Sequence, residues 1–91
     1  MKNTITQSDI DNLVGHSQVS TITLFNKCTI VSLQLPNGFV ITESSSCVDP
    51  VNYDENLGKQ ICMERIKNKL WELEGYRLQC ALHEAEVNKD A

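Results

Sequence analysis

The sequence predicts an α+β fold: a short N-terminal helix, a two- to three-stranded antiparallel β-meander, and a long C-terminal helix packed on one face of the sheet. Three observations predict it. The spacing of apolar residues is helical at first, changes to a period of two between about Ser20 and Glu43, and returns to steps of three and four after Asp54. The turn Pro36-Asn37-Gly38 separates two runs rich in β-branched and aromatic residues. The 91 residues are 41% apolar and contain only six Gly and Pro, which is the size and composition of one folded domain, 1–91. Aromatics are only Phe25, Phe39, Tyr53, Trp71 and Tyr76, so the core must be thin and mostly aliphatic.

The first helix starts at Thr6 as N-cap, with Asp9 at the third helical position reaching back and Ile5 facing Ile10 as a hydrophobic staple. Ile10, Leu13 and Val14 form one apolar stripe, and Gly15 suits a left-handed residue that ends the helix. A helix this short is marginal in water, so it must dock on the body.

Three strand-like runs follow, Thr21 to Phe25, Thr29 to Leu35 and Phe39 to Thr42. In the second turn Pro36 presets φ and Gly38 takes the left-handed position, which makes Pro36-Asn37-Gly38 a three-residue loop. Leu35 then pairs with Phe39, Leu33 with Ile41 and Ser32 with Thr42, and Val31, Leu33, Leu35, Phe39 and Ile41 share one face. A two-residue loop would split that apolar set, so the alternation selects the three-residue register. If Asn26-Lys27 turns the first hairpin, Ile22 and Leu24 join the same face opposite Val31 and Thr29, although that turn lacks the glycine it prefers. The opposite face, with Ile30, Ser32, Gln34, Val40 and Thr42, is moderately polar, and the sheet has two edges able to pair. A symmetric dimer through an edge strand or the long helix is therefore open.

From Ser44 to Asp54 the chain reads as a connector dense in capping residues. Asp49 before Pro50 starts a single turn, and either Asn52 with Glu55 or Asp54 caps the long helix. That helix reads to about Glu86, with Leu57, Ile61, Cys62, Ile66, Leu70, Leu73, Tyr76 and Cys80 as the stripe over the sheet, and a frayed tail at 87–91. Trp71, beside the stripe, reads as a core anchor, with an exposed interface residue as the alternative. Gly75 marks a weak point in the helix or a close approach of another backbone.

Chemistry-bearing residues are few. Twelve acidic and eight basic side chains give a net charge of −4, which disfavours a sequence-independent grip on nucleic acid. No apolar run has the ~18 residues of a membrane span, nor the core of a signal peptide, so the reading is a soluble, unexported protein with no membrane partner. Cys28, Cys47, Cys62 and Cys80 lie far apart, without a paired ligand spacing, and read as free thiols; His16 and His83 are equally separated, so no metal site is expected. Ser44, Ser45, Ser46 and Cys47 suggest a nucleophile or an anion-binding nest, but Asp49 and Asp54 would repel an anion there, and turn and capping chemistry explains the cluster better. Glu72 and Glu74 are two apart and point in different directions on a helix, which argues against an acid–base pair. No glycine-rich phosphate loop or dinucleotide fingerprint is present, and no cofactor and no catalytic residue is implied. Lys59, Arg65, Lys67, Lys69 and Arg77 interleave with glutamates along the long helix as a solvated face able to offer a modest basic strip. The candidate interaction residues are Trp71, Lys69, Glu72, Arg77, Ser46, Cys47 and Asp49; Asn37, Gly38, Pro50, Asp54, Gly75 and Tyr76 read as structural.

The segments Asn37-Gly38-Phe39-Val40-Ile41, Glu43-Ser44-Ser45-Ser46-Cys47-Val48-Asp49-Pro50, Asn52-Tyr53-Asp54, Leu57-Gly58 and Lys69-Leu70-Trp71-Glu72-Leu73-Glu74-Gly75-Tyr76 together resemble the gp-forty-nine-like (gene-sixty-six-like) family of small tailed-phage and prophage proteins, over roughly residues 28–82. The resemblance implies an accessory protein acting in the bacterial host cytoplasm, with no activity attached to the family. In relatives the middle connector serine is commonly alanine, which makes Ser45 or Ser46 a poor nucleophile. Proline is common where this chain has Glu72, implying a bend or restart near Trp71. Two readings of different class follow. The favoured one is a non-enzymatic protein that binds an unidentified host protein, for takeover or anti-defence. The other is a homo-oligomeric module that sequesters a ligand or binds nucleotides between subunits.

Overall fold

The capping signals define where each helix starts. In the computed structural model, which describes residues 2–89, Thr6 caps helix α1 (Gln7–Gly15), and the reciprocal Thr6–Asp9 capping box is complete. The Thr6 amide donates to the Asp9 carboxylate at 2.8 Å and the Asp9 amide to Thr6 Oγ1 at 3.2 Å. The C-terminus closes differently from the expectation: Gly15 is not left-handed. His16, at φ −98°, ends the helix; its Nδ1 lies 2.7 Å from the Asn12 carbonyl, and the Ser17 hydroxyl donates to the Leu13 carbonyl at 2.7 Å. Two side chains thus satisfy carbonyls that a glycine cap would otherwise serve.

Strands β1 (Gln18–Leu24), β2 (Cys28–Gln34) and β3 (Val40–Ser46) form an antiparallel meander in the order β1-β2-β3. The second hairpin has the expected register. Leu33 faces Ile41, Ser32 faces Thr42, and the Leu35 amide donates to the Phe39 carbonyl at 2.8 Å. Gly38 sits at φ +93°, and Asn37 Oδ1 accepts from the Phe39 amide at 3.0 Å. The expectation ended β3 near Glu43, but all three connector serines belong to the strand, where Ser44, Ser45 and Ser46 pair with Ile30, Thr29 and Cys28.

The first hairpin overturns its expected register. Leu24 faces Cys28 and Thr21 faces Val31, one residue away from the pairing that Asn26-Lys27 implied. The cause is the turn: Phe25 and Asn26 are both left-handed, at φ 57° and 55°, which lengthens the loop to Phe25–Lys27 without any glycine. Because the side-chain period is two, that one-residue shift moves Ile22 and Leu24 to the outer face and turns Val19, Thr21 and Thr23 inward.

Asp49 caps a single 3-10 turn, Pro50–Asn52, accepting from the Val51 amide at 3.0 Å. Asp54, rather than Asn52, caps α2 (Glu55–Lys89), its carboxylate accepting from the Leu57 amide at 3.2 Å. The helix is continuous through Trp71 and Glu72, without the bend that the resemblance implied, and it runs beyond the expected end near Glu86; the part of the expected frayed tail at 90–91 lies outside the described residues.

The core is where α2 crosses β2 and β3: Ile10, Val31, Leu33, Ile41, Cys62, Ile66 and Leu70, with Ile5, Leu13, Val14, Leu35 and Met63 packed around it. The expected stripe is only partly used. A seven-residue strand spans about 23 Å, whereas a 35-residue helix spans about 52 Å, so the sheet covers less than half of it. Leu57 lies within that overlap but on the side of the helix away from the core residues Cys62 and Ile66, Leu73 borders β3 at the end of the overlap and Tyr76 lies beyond it; all three are exposed, and the molecule is 62 Å long but only 20 Å and 18 Å across.

Candidate functional site

The connector is organised around a buried hydroxyl. Thr29 is fully buried on the inner face of β2, and its Oγ1 lies 2.7 Å from the Tyr53 hydroxyl, which also reaches Thr23 Oγ1 at 2.8 Å. Gly58, in the first turns of α2, lies directly above: a Cβ built there would sit 2.4 Å from Thr29 Oγ1 and 2.9 Å from Thr29 Cβ. The helix approaches the sheet here only because residue 58 has no side chain. Ser45, Ser46, Cys47, Tyr53 and Asp54 line a shallow depression beside this contact. The Cys47, Tyr53 and Asp54 side chains are already engaged. Cys47 Sγ donates to the Asp49 carbonyl at 3.2 Å, Asp49 and Asp54 cap helical turns, and the serine backbones belong to the sheet. That occupancy supports the capping role expected for Asp49, Pro50 and Asp54.

Trp71 lies 16 residues along α2 from Glu55, about 24 Å, so the connector candidates and the Trp71 group are two regions rather than one site. The α2 candidates are themselves split. Lys69 forms an ion pair with Glu43 and, with Glu72, borders a depression against Phe39 to Thr42 of the third strand. Arg77 pairs with Glu74 at 2.7 Å and lines a groove of about 460 Å³ between α1 and α2, together with Lys2, Asp9 and His16. In that groove Lys2 forms an ion pair with Asp9, and the Lys2 ammonium together with the Thr6 amide lowers the Asp9 carboxyl from its ordinary 3.8 to about 2. Two carboxylates thus share the groove with the basic groups, which removes its value as an anion site.

Trp71 is not the core anchor that its position suggested. It is 37% exposed, while its neighbour Leu70 is fully buried. Gly75 has no atom within 4 Å of its would-be Cβ, so it marks no close backbone approach; that role falls to Gly58. Tyr76, expected to be structural, is 73% exposed, and a hydrogen bond with Cys80 holds its phenol above the ordinary value. Leu73, Tyr76, Cys80 and Val87 recur at three, four and seven residues along the projecting half of α2, forming one row in which Leu73, Tyr76 and Val87 are exposed. Sequence reasoning merged Leu73, Tyr76 and Cys80 with the core stripe and put Val87 in the frayed tail; the length mismatch between strand and helix is the signal that separates the row from the core.

A second uncovered apolar area surrounds the first hairpin, where Ile22 (51% exposed), Leu24 and Phe25 (81% exposed) adjoin Ile30 and Cys28 on the outer face. Burial raises the Cys62 thiol above its ordinary value, whereas Cys28, Cys47 and Cys80 are half-buried. Among the described residues no three His, Cys, Asp or Glu side chains come together in a metal-holding group, and no helix is long and apolar enough to cross a membrane. In comparisons with known proteins, residues 5–82 match the model of one family, described as Phage protein (N4 Gp49/phage Sf6 gene 66) family. No curated protein and no solved structure matches the chain.

Proposed function

The chain belongs to the N4 Gp49/phage Sf6 gene 66 family of phage proteins, and from that premise we propose that it is a non-enzymatic accessory protein that docks on a protein of the bacterial host, in the host cytoplasm. The observation that carries this reading is the exposed row Leu73, Tyr76 and Val87, which starts beside β3 at Leu73 and continues along the part of α2 that extends past the sheet. A helix that presents apolar anchors at these spacings fits a groove on another protein. Trp71, partly exposed, lies on the opposite side of α2 from this row and is no part of it. A non-enzymatic role agrees with the engagement of Cys47, Asp49, Lys69 and Arg77 in the turns, caps and ion pairs of the fold. The ligand-sequestering alternative relied on Lys69 and Arg77 as anion contacts, and both are matched by glutamates of this chain.

The test is crosslinking and recovery of tagged protein from infected cells, comparing wild type with a Leu73→Lys/Tyr76→Lys double variant. Both positions are exposed, so the variant folds as wild type does and loses the recovered host protein. Recovery of the same host proteins by both forms, or of none by wild type, would refute the reading.

A further inference from the structure

The two edges of the sheet are treated differently. The ladder between β2 and β3 runs from the Leu35–Phe39 bond to the Cys47 amide donating to the Lys27 carbonyl at 2.9 Å, so its bonded pairs are Leu33/Ile41, Val31/Glu43 and Thr29/Ser45. The residues between them on β3 aim their backbone groups at its free side, and there Arg65 Nη1 donates to the Ser44 carbonyl at 2.7 Å. A charged side chain from α2 thus occupies one carbonyl of the β3 edge, and charge at an edge is a common protection against strand addition. On β2 the alternate residues Gln34, Ser32, Ile30 and Cys28 bond across to Gln18, Ser20, Ile22 and Leu24 of β1. The N–H and C=O groups of Val19, Thr21 and Thr23 therefore point to the open side of β1.

That edge carries none of the usual safeguards. Gln18 to Leu24 contains no charge and no proline and pairs with β2 without a bulge, and every residue except Thr21 is exposed. From Gln18 to Thr42 the only charged residue is Lys27, in a chain whose net charge is −4. Two acidic copies can meet here without opposing like charges.

We propose that β1 pairs antiparallel with β1 of a second copy, joining two sheets into one of six strands across a two-fold axis. One register uses every open group: Thr21 faces Thr21 of the second copy, and Val19 faces its Thr23. Three amides and three carbonyls from each chain then make six backbone hydrogen bonds. The outer-face Ile22 side chains become diagonal neighbours across the axis, which joins the two Ile22–Leu24–Phe25 patches. Edge pairing over about 23 Å buries on the order of 500 Å² in total, less than the ~1,200 Å² of a standard stable interface, so the dimer is concentration-dependent. The surface is separate from the projecting row of α2, and this inference stands or falls independently of host docking.

Sedimentation velocity of the full chain from low micromolar to millimolar concentration, with Thr21→Lys and Thr21→Glu variants, tests it. Wild type should pass from monomer to dimer. Each variant alone places like charges face to face on the axis and should weaken association at least ~10-fold, while an equimolar mixture of the two restores it. On wild type alone, exchange of the Val19, Thr21 and Thr23 amides should slow as concentration rises, with no such change at Thr42 and Ser44. A wild-type chain that stays monomeric throughout overturns the proposal. So does a dimer that survives Thr21→Lys unchanged, or one in which the three β1 amides exchange no more slowly than in dilute solution.

Discussion

Gly58 and Gly75 lie on the same helix, and replacing each with alanine should move stability in opposite directions. At Gly75 the new methyl meets nothing within 4 Å, so only the helical preference for alanine remains, about 0.5–1 kcal/mol in favour of the variant. At Gly58 the same preference is opposed by a Cβ placed 2.4 Å from Thr29 Oγ1 and 2.9 Å from Thr29 Cβ. Rotating Thr29 relieves the first contact but not the second, and it moves a fully buried hydroxyl away from Tyr53. Overpacking costs about 1–3 kcal/mol and loss of that hydrogen bond about 1–3 kcal/mol more, against a helical gain of about 1 kcal/mol. The net loss for Gly58→Ala is about 1–5 kcal/mol, roughly 4–40 °C in Tm for a domain of this size, and Gly75→Ala should gain a few degrees. Thermal and urea unfolding followed by circular dichroism measure both. Adding Thr29→Ala to Gly58→Ala should cost less than the sum of the two single changes, because it removes the nearest clashing atom. A Gly58→Ala protein as stable as wild type, or a Gly75→Ala protein less stable, would show that the close approach of α2 to β2 has been misread.

Two further outcomes concern ionisable groups. Asp9 titrates at about 2 in the folded chain against an ordinary 3.8, so its contribution is complete above the ordinary carboxylate range and disappears as pH falls through about 2. An NMR titration should give Asp9 a midpoint near 2 that moves upward in Lys2→Ala, and a midpoint unaffected by that change would refute the assignment to Lys2. Cys28, Cys47 and Cys80 should react with an aromatic disulfide reagent in the native protein, while Cys62, buried and held protonated, reacts only on unfolding; equal rates for all four would contradict the burial of Cys62.

Local chemistry made much of the fold legible. Thr6 with Asp9, Pro36-Asn37-Gly38, Asp49-Pro50 and Asp54 each act within a few residues of themselves, and each does in the structure what its neighbours in sequence imply. The failures came where the deciding interaction is distant or has two near-equal solutions. Thr21, Thr23, Ile22 and Leu24 alternate in a way that suits either face of β1, and only the left-handed pair Phe25 and Asn26 selects the register. Likewise Trp71 and Leu70 are adjacent, about 100° apart around the helix, and which of them is buried depends on how α2 is rotated about its own axis where it meets the sheet. Gly75 drew attention because it interrupts a helical pattern, whereas Gly58, near the helix start, looked unremarkable although Thr29 lies beneath it, 29 residues earlier in the chain. The interaction candidates were chosen by residue type. Lys69 and Arg77 proved to be matched by Glu43 and Glu74, of which only Glu74 lies close enough in sequence for helical spacing to reveal it.

The excess length of α2 makes it a lever. Its fulcrum is the stretch from Gly58 to Leu70 seated on the sheet, and Val87 lies about 32 Å beyond Ile66 along the axis. A rocking of the seated part by about 5° would therefore carry the far end by about 3 Å, a displacement comparable to half a helical turn. The same ratio works in reverse: a sideways load at the distal end is multiplied into torque on the seated stretch, so the close approach of Gly58 to Thr29 helps to set the direction in which the arm points.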